Sequence, residues 1–414
     1  MGKLTTLAEN LIGSEIVKLG NEINERKKKG EHIYNFTIGD FDPAVFPIPA
    51  ELEELIIESY RKHYTNYPPA DGVSELRSAV LKFLKEREGL DYAGNEILIA
   101  SGGRPLIYTL FKTAVNPGDK VIYAVPSWNN NHYTAMNNAV HCVIEASPEN
   151  NFMPTAAEIE PHIKDAALLC LCTPQNPTGT TLNKAELEKI CTLVIEENNR
   201  RQNGEKKLYV MYDQMYWTLT FGNTVHYNPI EINPEMKKYT IFIDGISKAF
   251  AATGVRVGWS VGPAHVIAKM KALLSHIGAW APMAEQKAVA KYLLEKNAVN
   301  EWFVSYKREI SERLDGIYAG LMKLKANGYF VDAIAPQAAI YLTVKFDLAG
   351  KGGLKSQEDV TAFLLSEAKL AVVPFYAFGA DRHSPWYRLS VGTCHKNDIP
   401  MFLAKLEESL SILK

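Results

Sequence analysis

Between residues 95 and 263 the chain repeats one rhythm: a short apolar run rich in β-branched residues, then a turn signal or a helix-length segment. The runs are NEILIAS, KVIYAVP, AVHCVIEAS, ALLCLCTP, KLYVMYD, YTIFIDGIS and VRVGWSVGP. Strands that alternate with helices predict a largely parallel sheet, because a parallel pair needs a crossover connection and the helices then cover both faces. Strands covered on both faces are apolar throughout, as several of these runs are. NPGD at 116–119 and NPTG at 176–179 punctuate the pattern. After about residue 283 the rhythm changes to long amphipathic helices with the strand-like runs AIYLTVKF, LAVVPF and WYRLSVG. A chain of 414 residues exceeds one ordinary core, and the change of pattern predicts a large α/β domain followed by a smaller α+β one. The domain reading is 1–45 as an N-terminal arm and part of the small domain, 46–290 as the large domain, and 291–414 as the small C-terminal domain. EIVKLGNEINERKKKG reads as a surface helix closed by Gly30.

Charge narrows the partners. Lys and Arg number 45 against 47 Asp and Glu, a net charge of -2, so no strong field draws in nucleic acid or an anionic membrane. The first twenty residues lack a signal-peptide pattern, and no apolar stretch reaches the length of a membrane span. These features predict a cytoplasmic protein with small-molecule partners. The five cysteines, Cys142, Cys170, Cys172, Cys191 and Cys394, show neither C-x-x-C nor zinc spacing, and Cys170 and Cys172 read as core residues of one strand. The chain has no H-E-x-x-H, no G-x-x-x-x-G-K-[ST] and no G-x-G-x-x-G after an early strand. Metal, nucleoside triphosphate and dinucleotide readings lose their main support.

In an open α/β sheet, ligands bind beyond the carboxyl ends of the strands. After NEILIAS come Gly102 and Gly103, then a helix start at Arg104 and Pro105. Glycines admit close backbone approach, and the free N–H groups and dipole of the helix start attract an anion. Taken alone, the stretch fits an ordinary strand-to-helix turn equally well. Asp213 and Tyr216 follow KLYVMY, Asn176 follows LLCLCTP, Lys248 follows IFIDGIS, and Trp128 follows VIYAVPS. One ligand uses an ammonium, a carboxylate, an amide, a phenol, an indole and an anion-binding turn together. Pyridoxal phosphate has an aldehyde for the lysine, a ring nitrogen for the acid, an oxygen for donors, a phosphate for the turn and a ring to stack.

With FTIGDFDP, NYPPADGVSELR, GGRP, PQNPTG, YDQMYW, SKAFAATGVRVGW and WYRLSVGT in this order, the chain resembles the class I and II aminotransferases, the aspartate aminotransferase-like branch of pyridoxal-phosphate enzymes. The resemblance implies that family's transferase fold, a large cofactor-binding domain with a mainly parallel mixed sheet flanked by helices plus a smaller α+β domain. It makes Lys248 the Schiff-base lysine and general acid/base, and Asp213 the partner of the pyridine nitrogen. Asn176 and Tyr216 become donors to the ring oxygen, with Asn176 also near substrate, and Trp128 becomes the stacking surface. Arg256, with Gly102, Gly103 and Arg104, would hold the phosphate, and Ser247 would add a hydroxyl. Gly245 stands where many relatives have a further serine. Tyr67 matches a tyrosine that reaches the neighbouring subunit's phosphate, which implies a homodimer with shared active sites. Arg388 matches the clamp on the substrate α-carboxylate, and Gly39 lets backbone close over it. Both fall in the small domain, so substrate binding would draw the domains together.

For the side chain of the substrate, Arg104 favours a dicarboxylate such as aspartate, with Ser14 near the same pocket, whereas Ile16 and Trp280 favour an apolar or aromatic one. Pro105 departs from a glutamine common in relatives. The implied activity is transfer of an amino group between an L-amino acid and a 2-oxo acid. The same residues serve a C–S lyase, an aminocyclopropane-carboxylate-type synthase or a decarboxylase, and a non-catalytic pyridoxal-phosphate-binding module is the reading from another class.

Overall fold

The computed structural model describes residues 4–10 and 15–413; Ser14 lies outside the described residues. All seven expected runs form strands, and they join one sheet. Its spatial order is Ile97–Ala100, Gly258–Val261, Thr240–Gly245, Tyr209–Asp213, Ala166–Cys172, Lys120–Val125, Val140–Glu145. Gly258–Val261 runs antiparallel to both neighbours, and the remaining pairings are parallel. The sheet is therefore mixed and mostly parallel, as the sequence predicts. Central strands such as Thr240–Gly245 are buried at every position, whereas the edge strand Val140–Glu145 is largely exposed, with only Cys142 and Ile144 buried. Leu106, Leu110 and Phe111 of the helix Gly103–Ala114 and Met270 and Leu274 of Ala264–Ile277 bury together with Leu98, Leu168 and Ile241 of the sheet. Each such side chain contributes about 1.5–3 kcal/mol of burial.

The chain forms two compact units. One is Phe41–Glu309 with Gln337–Ala339, and the other is Met1–Asp40 with Ile310–Pro336 and Ile340–Lys414. The division after Glu309 falls inside the 31-residue helix Lys296–Ala326. An uninterrupted amphipathic helix gives no sequence mark at such a point, whereas the change of rhythm near residue 283 precedes the helix.

The second unit holds a four-stranded antiparallel sheet in the order Val373–Pro374, Trp386–Ser390, Tyr341–Phe346, Val331–Ala333. Arg388 sits on an inner strand, opposite Thr343 on one side and Val373 on the other. The helix Glu15–Lys28 is surface-exposed except for one stripe, where Ile23 is buried with Ile33, Leu365 and Ala371. Among the described residues no helix is long and apolar enough to cross a membrane.

Candidate active site

The reversed strand decides where the site forms. Six strands running the same way end at one edge of the sheet, and Gly258–Val261, running the other way, begins there, so Arg256 arrives beside the residues that follow the other strands. Three glycines make that meeting possible. A Cβ on Gly258 would stand 2.6 Å from the Gly102 carbonyl carbon, and one on Gly245 would stand 2.8 Å from both Gly258 Cα and the Val257 oxygen. A serine at 245 therefore does not fit without moving the reversed strand, which accounts for the missing hydroxyl. Gly102 has φ +82°, and a Cβ there would run into the Arg256 guanidinium. Arg256 donates to the Thr253 carbonyl at 2.7 Å and to the Ser101 carbonyl at 2.8 Å. This guanidinium lies at the start of Gly103–Ala114, a 12-residue helix without an acidic residue in its first turn. Dipole, free amides and guanidinium together make an anion cradle.

Asp213 ends the strand Tyr209–Asp213, and its Oδ1 accepts the Met215 amide at 3.1 Å. Burial pushes its carboxyl up to about 6, against the pull of that amide. Met215 also links this acid to the cradle, since a Cβ on Gly103 would be 2.9 Å from its methyl. Lys248 sits in the four-residue helix Ile246–Ala249. Its Nζ lies 5.4 Å from the ring centre of Phe41 and 5.9 Å from that of buried Tyr216. The end of this short helix is held by side chains: Tyr306 donates to the Lys248 carbonyl at 3.0 Å and Trp302 to the Ala249 carbonyl at 2.9 Å, the two rings being stacked. Carbonyls at a helix end need such donors.

Arg104 is exposed, with its guanidinium 5.3 Å from the centre of the Trp128 ring. Asn176, beyond Ala166–Cys172, and Ser247, beside the lysine, are both buried. Contacts within this unit thus link Gly102, Gly103, Arg256 and Asp213, tie Lys248 to Tyr216, and tie Arg104 to Trp128. Tyr67 is not among them. It is 83% exposed and packs edge-on against Trp280.

In the other unit Arg388 is fully buried and donates to the Thr37 carbonyl at 2.6 Å. Its guanidinium lies between the rings of Tyr341 and Phe378, 4.8 and 4.9 Å from their centres. A Cβ on Gly39 would come within 3.3 Å of Arg388 Nη1, so glycine leaves the guanidinium face open. A planar cation beside two rings suits bidentate capture of a carboxylate.

These residues fit pyridoxal phosphate. A half-buried acid with a raised pKa gains most from a positively charged donor, which a protonated pyridine nitrogen would supply, while the cradle suits a phosphate and the lysine an aldehyde. Gly102→Ala is expected to weaken cofactor affinity at least about tenfold, because the methyl displaces Arg256 and a positive φ disfavours any side chain; absorbance titration of the cofactor-free protein reads this. Sequence reasoning missed Met215, Trp302, Tyr306, Tyr341 and Phe378. Trp302 and Tyr306 are four apart on one helix face, a detectable period that says nothing of what the face touches. Phe41 stands within FTIGDFDP but carried no chemistry of its own.

Residues 31–406 match the family model for aminotransferase class I and II. An aspartate aminotransferase of Bacillus sp. (strain YM-2) is 30% identical over 91% of this chain and 92% of its own length. A probable aspartate/prephenate aminotransferase of Rickettsia prowazekii is 29% identical, with 95% of each chain covered. Among solved structures, the aspartate aminotransferase from Thermus thermophilus with maleate superposes with TM-score 0.88 at 25% identity, covering 99% of this chain and 100% of that one. The aspartate aminotransferase from Rhizobium meliloti, at 24% identity, shares the fold with TM-score 0.90 over 100% of both chains. The chain belongs to the class I and II aminotransferase family and is a pyridoxal-phosphate-dependent transaminase.

Proposed function

We propose that this transaminase takes a dicarboxylic amino acid, aspartate or glutamate, as its amino donor and a 2-oxo acid as acceptor. The observation that carries the reading is the exposed Arg104 guanidinium stacked over Trp128, a second cation free to meet a side-chain carboxylate. Relatives named as aspartate aminotransferases, and the Thermus structure with the dicarboxylate maleate, support it. The test is a half-reaction screen, in which the cofactor-loaded enzyme is mixed with each amino acid and loss of the cofactor's visible absorption is timed. Aspartate and glutamate should react fastest; faster reaction with aromatic or aliphatic amino acids would remove the dicarboxylate reading.

When bound, the cofactor supplies an electron-withdrawing ring that stabilises negative charge at the substrate Cα. The protein's part is to bind, orient and move protons. Asp213 accepts a hydrogen bond from the ring nitrogen and keeps that proton in place. Asn176 and Tyr216 would donate to the ring oxygen, Trp128 would stack, and Arg256, Ser247 and the amides at Gly103 and Arg104, next to Gly102, would hold the phosphate. The Lys248 amine would take the proton from the substrate Cα and hold it for its return. Arg388 fixes the α-carboxylate, with Gly39 beside it. Arg388→Lys is expected to raise KM for the amino acid about 100-fold with a smaller loss in kcat, because a point charge cannot replace a bidentate fork; steady-state kinetics with aspartate check it.

The surface around Tyr67 supports the reading of a homodimer. Tyr60, Tyr64, Tyr67, Trp280 and Met283 line an open groove of about 570 Å³, and exposed aromatic surface of this kind marks an interface. Sedimentation at micromolar concentration should give twice the chain mass. Five free cysteines agree with a reducing, cytoplasmic setting.

A further inference from the structure

The strand that delivers Lys248 carries a second acid for which the reaction above has no use. Asp244 belongs to Thr240–Gly245 and is 1% exposed. Its Oδ1 accepts the Gly245 amide at 2.7 Å, and its Oδ2 accepts the indole N–H of Trp217 at 2.9 Å. Trp217 directly follows Tyr216, and its amide closes the turn by donating to the Gln214 carbonyl at 2.9 Å. The Gln214 amide in turn donates to the Ile243 carbonyl at 3.0 Å. Register pairs Asp213 with Ile243, and side chains alternate along a strand. Asp213 and Asp244 therefore occupy opposite faces of the sheet.

We propose that Asp244 is a positioning residue for transamination: through Trp217 it locks the turn bearing Asp213 and Tyr216 onto the strand that delivers Lys248. The main-chain bond at Gln214 ties the two segments at the base of the turn, and the Asp244–Trp217 bond carries the tie one residue past Tyr216. A slide of the turn would change the 5.9 Å separation between Lys248 Nζ and the Tyr216 ring. The choice of an acid follows from the two N–H groups aimed at it, one on each oxygen. An asparagine amide accepts one of them and meets the other donor with its own N–H.

Among the described residues, the named groups that act on Asp244 are donors and another acid. Burial pushes Asp244 up to about 8, with the Gly245 and Trp217 donors and the Trp259 indole opposing it and Asp213 adding to it. Glu88, bonded by Gln214 Nε2 at 2.7 Å, is held high by burial and then by Asp244 and Glu231. His226, 3.6 Å from Glu88, is pushed down to about 3 by burial.

The inference rests on Lys248, Asp213 and Tyr216 acting in the reaction, so Lys248→Ala accompanies the test. Trp217→Phe and Asp244→Asn are made singly and together. Three quantities are read: kcat and KM with aspartate, the pH midpoint at which the bound cofactor's absorption changes, and the melting temperature of the cofactor-free protein. Each single variant should lower kcat roughly 5- to 30-fold, the worth of one buried hydrogen bond, with KM within about twofold. Each should also move the absorption midpoint by about half a pH unit or more. The double variant should fall well short of the product of the two single losses, since both variants disturb the same Asp244–Trp217 contact. Losses that multiply, or an unmoved midpoint with kcat falling only as the melting temperature falls, would overturn the proposal. If Asp244→Asn does not fold, Trp217→Phe alone decides by its kcat and midpoint. Turnover retained in Lys248→Ala would instead overturn the underlying assignment, and the proposal with it.

Discussion

Lys248→Ala should reduce transamination to about one part in 10⁴ of wild type or less, while the protein stays folded. The loss combines two roles. Proton transfer by a positioned side chain contributes about 10²–10⁴, and no other described cation approaches the rings of Phe41 and Tyr216 as the Lys248 amine does. Removal of the covalent attachment adds to this. The fold should survive because Tyr306 and Trp302 grip main-chain carbonyls, which alanine leaves in place, and alanine favours the helical turn. Single-turnover mixing of the cofactor-loaded variant with aspartate reads the rate, and a thermal melt reads the fold. A rate within tenfold of wild type, in a variant melting within a few degrees of it, would exclude Lys248 as the proton carrier.

Asp213→Asn should cost on the order of 10³ in rate and at the same time stabilise the cofactor-free protein. The rate falls because a neutral amide no longer holds the ring nitrogen's proton, a charge effect in a site shielded from water. The stability effect has the opposite sign for a calculable reason. Burial raises the carboxyl from 3.8 to about 6 in the folded chain, so the folded state holds its proton more tightly than the unfolded one. Stability is then undiminished below about pH 4, falls as pH rises towards 6, and stays reduced above that, by at most about 3 kcal/mol and less where water reaches the carboxyl. Asparagine keeps an acceptor for the Met215 amide without ionising. Denaturant melts of cofactor-free wild type and variant at pH 4.5 and 7.5 test this: the variant's advantage in stability should be clearly larger at the higher pH than at the lower. Equal stabilities at pH 7.5 would show that the acid meets a counter-charge even without cofactor.

The large sheet was legible because burial on both faces writes itself as unbroken apolar runs, and all seven strands fall where YTIFIDGIS and its companions place them. The candidate residues were legible because polar groups at the ends of such runs are conspicuous. Partners across the fold were not. Nothing around Asp244 in the sequence names Trp217, 27 positions earlier, nor does WYRLSVG name the Tyr341 and Phe378 rings that enclose Arg388. The mutual approach of Gly102, Gly245 and Gly258 was hidden for the same reason. A missing side chain marks a close approach without saying what approaches. The end of the first compact unit after Glu309 was hidden because it falls within a continuous helix.

The strand Gly258–Val261, alone in opposing its neighbours, has a consequence for how such a chain can vary. Lys248 and Arg256 are carried on one uninterrupted connection whose two ends are both pinned, by Gly245 against Gly258 at one point and by Gly258 against Gly102 at the next. Lys248 and Arg256 thus travel as a single cassette of fixed length. One residue added between 248 and 256 would throw the lysine and the arginine out of step with each other.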